Sequence, residues 1–106
     1  MLKATADQIV GAQMLEPTGF STFAAFSVFV YVTLDGGDQT LGTTGDGIAT
    51  HKGNGYHEYT PTADEVDGDH VAFTFIGSGA IAVTEHRDLE PIDTLTDTDK
   101  QAARLL

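Results

Sequence analysis

Alternation is the clearest signal along the chain. Phe26, Val28, Val30, Val32 and Leu34 fall on one side of an extended strand, and Ser27, Phe29, Tyr31 and Thr33 on the other. The second side is half aromatic, so a neighbour partly covering it is expected. Residues 69–76 repeat the pattern, with Val71, Phe73 and Phe75 opposing Ala72, Thr74 and Ile76. After a Gly77-Ser78-Gly79 turn, residues 80–86 read as the returning strand, with Ile81 and Val83 on its buried side. Two shorter runs, 48–52 and 56–60, flank Asn54-Gly55, the strongest short hairpin signal. Asp35-Gly36-Gly37-Asp38 predicts another tight turn, and residues 39–47 a loop around a short strand.

Two segments break the pattern. In PTADEVDG, Thr62 and Glu65 have the spacing of a capping box, so one helical turn or a compact crossing between sheets is expected there. In the tail, Thr96 and Asp99 can cap a short helix. Lys100 and Arg104 suit its C-terminal end, and Ala102, Leu105 and Leu106 supply an apolar side. So short a helix is marginal alone and must dock or fray. Together the elements predict an all-β chain, a small antiparallel β-sandwich of immunoglobulin-like or jelly-roll-like type over residues 10–86. An N-terminal arm (1–9) and a C-terminal arm (87–106) with the short helix flank it.

Composition narrows what such a body can do. At 106 residues the chain suits one domain. Without cysteine it has no disulfide, thiolate metal site or cysteine nucleophile. Sixteen acidic residues against five basic ones give a net charge of −11. That argues against nucleic acid and against anionic membranes as partners. The N-terminus has no apolar core of a signal peptide, and residues 19–34 are interrupted by Ser21, Thr22, Ser27 and Thr33 and too short to span a bilayer.

Three clusters invite chemistry. In HKGNGYHEY, an Asn54-Gly55 turn sets Gly53 against Tyr56, Lys52 against His57 and His51 against Glu58. In that register His51 and His57 lie on opposite faces and cannot share a metal ion; a bulge would change this. In DEVDGDH the carboxylates suggest calcium. However, Val66 stands where an EF-hand loop starting at Asp64 needs a ligand, so a solvated loop is the better reading. His70 beside Asp69 suggests a triad, but Ser21, Ser27 and Ser78 sit in no nucleophile elbow. No catalytic, cofactor-binding or metal-ligating residue is therefore assigned, and enzymatic activity is not expected. Tyr31, Tyr56 and Tyr59 with His51 and His57 suit a sugar-stacking surface, a reading that the absence of tryptophan weakens, and equally a core or a subunit interface.

THKGNGYHEYTPTADEVDGDHVAFTFIGSGAIAVT (residues 50–84), preceded by VYVTLDGGDQTLG (30–42) and VGAQMLEPTGF (10–20), resembles a small β-sandwich module of tailed-bacteriophage virion structural proteins. The shared pattern is a Gly-Asn-Gly-aromatic hairpin, a Thr-x-x-Glu crossing, an Asp-His-Val-Ala-Phe-x-Phe strand and a Gly-x-Gly-Ala-Ile turn. The resemblance spans most of residues 10–84 and implies a structural role with no catalytic residues to carry over. No coiled coil, collagen-like tract or receptor-binding domain accompanies the module, which favours a capsid decoration or other head-associated protein. The expected partners are the major capsid protein or other virion proteins and further copies of the chain, with the virion as its location after synthesis in the host cytoplasm. Phe20, Phe23, Phe29, Tyr31, Leu105 and Leu106 are the expected interface residues. A tail or fibre accessory module, with carbohydrate binding in host adsorption, is the alternative.

Overall fold

The computed structural model describes residues 1–17, 22 and 27–91. They form seven strands: β1 (Val10–Gln13), β2 (Val28–Leu34), β3 (Thr40–Leu41), β4 (Thr50–Gly53), β5 (Tyr56–Tyr59), β6 (His70–Gly77) and β7 (Val83–Asp88). Every strand pair is antiparallel. A three-stranded sheet has the order β1-β5-β4, and a four-stranded sheet the order β3-β2-β6-β7. The all-β, two-sheet architecture expected from the alternation is therefore the one observed.

The core lies between the sheets. Val28, Val30 and Val32 of β2, and Val71, Phe73 and Phe75 of β6, are all buried on one face of the larger sheet. Val10, Ala12 and Tyr59 face them from the smaller sheet, joined by Met14 just beyond β1. The Tyr59 and Phe73 rings meet across the interface, 6.2 Å between centroids and tilted by 52°. Such contacts contribute about 0.5–1.5 kcal/mol beyond simple burial. The two sheets are stitched at one edge by residues 48–50: Ala49 donates to the Val28 carbonyl and Ile48 pairs with Phe29, before the chain enters β4 and pairs with β5.

The crossing at Thr62–Glu65 closes as a capping box. Glu65 N–H donates to Thr62 Oγ1, and the Glu65 carboxylate accepts from Thr62 N–H at 2.9 Å. The helical turn that follows, Asp64–Val66, buries Val66. The same carboxylate ties the crossing to the body, because Tyr59 O–H donates to it at 2.7 Å and Thr43 N–H at 3.2 Å. Burial, and then the bond to Glu65, push the Tyr59 hydroxyl up to about 12, so it stays protonated as a donor. Gly42 makes room for it, since a Cβ there would overlap the Tyr59 hydroxyl.

The Asp35 turn is fastened in a similar way. Asp35 takes a left-handed backbone (φ 51°), and its carboxylate accepts from His70 N–H and Asp69 N–H at 3.0 and 2.8 Å. Those amides hold the Asp35 carboxyl below its ordinary value.

Two expectations are corrected at the edges of the fold. The returning strand begins at Val83, not at residue 80, and Ile81 is 38% exposed rather than buried. Its amide bonds to the Leu15 carbonyl, which draws the segment out of the ladder. The first four residues are tied down: Lys3 and Ala4 donate to the Glu90 and Val66 carbonyls, and Glu90 donates back to Met1. β7 continues to Asp88, and Leu89 after it is buried. The expected C-terminal helix lies outside the described residues.

Candidate functional site

The strand alternation that fills the core also projects side chains outward from the four-stranded sheet. Phe29 is directly paired with Ile76 on β6 and with Ile48 on its other side. One step along, Tyr31 is paired with Leu41 and Thr74, and Thr74 with Thr84. Ile48, Phe29, Ile76 and Leu41 are each 36% exposed or more, and they occupy neighbouring positions in two cross-strand rows. Thr33, Ala72 and His86 continue the same face toward the Asp35 turn. No carboxylate stands in those three rows of an otherwise strongly acidic chain. Scattered exposed apolar residues need no explanation, but contiguous ones on a flat sheet mark association surfaces.

Of the expected interface residues, Phe29 and Tyr31 are thus brought together on one face. Leu41, Ile48 and Ile76 were not singled out in the sequence. The outward register of Ile76 was legible from its alternation with Phe75, whereas Leu41 and Ile48 lie in segments too short for a period. Phe20, Phe23, Leu105 and Leu106 lie outside the described residues.

The His51/His57 cluster departs from the expected register. Asn54 and Gly55 are the central turn residues, with φ 50° and 83°, and Gly53 does face Tyr56. But Lys52 bulges out of the ladder, so His51 faces His57 and Thr50 faces Glu58. The two histidines therefore share a face, their rings 4.8 Å apart. Gly53, at φ 141°, supplies a backbone conformation that strains any other residue, and this permits the bulge. The histidines fasten the turn: His51 Nε2 accepts from Gly55 N–H at 3.0 Å, and His57 Nδ1 meets the Gly55 carbonyl at 2.9 Å. Lys52 instead approaches Glu58, at 3.8 Å.

Among the described residues no three His, Cys, Asp or Glu side chains stand where they could hold one metal ion. Glu65 of the acidic cluster is spent on the crossing, and His70 approaches Asp35 at 3.9 Å. Tyr59 is in the core, Tyr31 is on the outer face of the larger sheet and Tyr56 is on the smaller sheet, so the three tyrosines form no common groove. Among the described residues no helix is long and apolar enough to cross a membrane. The chain matches no protein family, no curated protein and no solved structure.

Proposed function

We propose that the chain is a structural protein of a tailed-bacteriophage virion, a decoration or other head-associated protein that acts through protein–protein association. The observation that carries the reading is the outward face of the four-stranded sheet, where Phe29, Tyr31, Leu41, Ile48 and Ile76 form a carboxylate-free patch. The resemblance of residues 10–84 to the phage module supplies the setting.

The mechanism is associative. The two-sheet body is a rigid unit, and burying the outward aromatic and aliphatic side chains against a capsid subunit or a neighbouring copy drives attachment. On a symmetric lattice, many such contacts give high avidity without strong individual affinity. The acid elsewhere on the surface keeps coated particles apart.

The test is the copy number of the chain per purified virion, measured by quantitative mass spectrometry. Copies on the order of hundreds identify a lattice-coating protein. About a dozen or fewer place it at the tail or connector and favour the accessory-module alternative. Absence from the particle overturns the virion reading.

A further inference from the structure

The Asn54-Gly55 turn carries chemistry that association leaves unused. In an Asn-Gly pair the glycine nitrogen can attack the asparagine Cγ. A bond forms between Gly55 N and Asn54 Cγ, the Cγ–Nδ2 bond breaks, and ammonia leaves with the proton from Gly55. Water then opens the resulting five-membered imide at either carbonyl, giving aspartate or isoaspartate. Glycine at the second position offers no side chain to hinder the approach, and asparagine is among the thermolabile residues for this reason.

Geometry decides whether the attack can occur. Asn54 is exposed and has φ 50°, in the left-handed region. In that region ψ is typically about +47°, which sets the following nitrogen, here Gly55 N, nearly anti to Cβ, the placement farthest from Cγ. Attack requires the Asn54–Gly55 peptide plane to swing round. Both polar groups of that plane are held. The Asn54 carbonyl accepts from Gln13 Nε2 at 2.7 Å, and Gly55 N–H donates to His51 Nε2 at 3.0 Å. The next carbonyl, Gly55 O, is also anchored, by Met14 N–H at 2.9 Å and by His57 Nδ1.

We infer that Asn54 is a latent deamidation site that the folded hairpin holds shut, with Gln13 and His51 as the two latches. Deamidation then proceeds only through local opening of the turn, and its rate reports the open population. The product is not a silent change. Isoaspartate adds a backbone atom to a two-residue turn whose length sets the register of β4 on β5.

Peptide mapping by mass spectrometry at neutral pH tests this on four samples: the folded protein, the same protein in concentrated urea, and folded His51→Ala and Gln13→Ala. The expected result is deamidation at Asn54 more than about tenfold slower in the folded protein than in urea. Each variant should react about fivefold faster than the folded parent, the effect of losing one neutral hydrogen bond. Both latch residues are exposed, and circular dichroism verifies that the variants remain folded. Equal rates in the folded protein and in urea overturn the inference. So does an unchanged rate in both variants. A slower rate in His51→Ala also overturns it, because His51 would then act as a base that promotes the attack.

Discussion

The two faces of the four-stranded sheet are built from the same strands and from much the same kinds of residue, yet one is buried and the other exposed. On the inner face, Val30 and Phe73 are fully buried among side chains of the smaller sheet. On the outer face, Phe29 and Ile76 sit one residue away in sequence from Val30 and Phe75, directly paired with each other and more than a third exposed. A strand with only one buried face would normally carry polar residues on the other. Apolar residues on both faces of β2 leave one face buried in the fold and the other exposed, and it is this exposed face that the association proposed above would cover.

Substitutions should separate the two faces. The largest effect is expected from Phe73→Ala, which empties the centre of the core and should cost about 3–5 kcal/mol in a denaturant melt. Tyr59→Phe should cost about 1–3 kcal/mol by the same measurement, because it leaves the Glu65 carboxylate and the Thr44 amide without the hydroxyl they share. Tyr59 also has a pH signature. Its folded value is raised to about 12, so its contribution is complete below the unfolded value of about 10 and is lost as pH rises through the folded one. The parent should therefore lose stability between about pH 10 and 12 more steeply than Tyr59→Phe does.

The Asp35 carboxylate works in the opposite sense. Held below its ordinary value by the His70 and Asp69 amides, it contributes above the unfolded value of about 3.9 and the contribution is lost as pH falls through the folded value. Acid titration should show Asp35→Asn losing less stability than the parent over that range. The smallest effect on folding is expected from Phe29→Glu, within about 0.5 kcal/mol of the parent. On the virion reading proposed above, that variant should nevertheless fail to join the particle. If it is incorporated normally, the outward face is not the attachment surface.

How much of this was legible in the sequence differs from element to element. Alternation over β2 and β6 established both the strands and the inner residues, because a period of two maps directly onto the two sides of a sheet. Asn54-Gly55 and Asp35-Gly36 located their turns through the left-handed backbone each requires. Thr62 and Glu65 announced the capping box by spacing alone, and it forms between those two residues. The long-range partners were not legible. Nothing local says that the Glu65 carboxylate also receives Tyr59 and Thr43, or that Asp35 fastens Asp69 and His70, since each contact depends on how the sheets pack.

The histidine pair marks where sequence and tertiary structure divide. Local pattern was enough for the all-β class, the hairpin, its two central residues and the Gly53–Tyr56 pairing. The extrusion of Lys52 came from the pairing of the strands. One extra residue in one strand moves every side chain beyond it, counted outward from the turn, to the other face, so His51 comes to lie beside His57 instead of across the sheet from it. The bulge is a local change of one residue, but what it alters is a relation between strands, and such a relation exists only once β4 and β5 have paired.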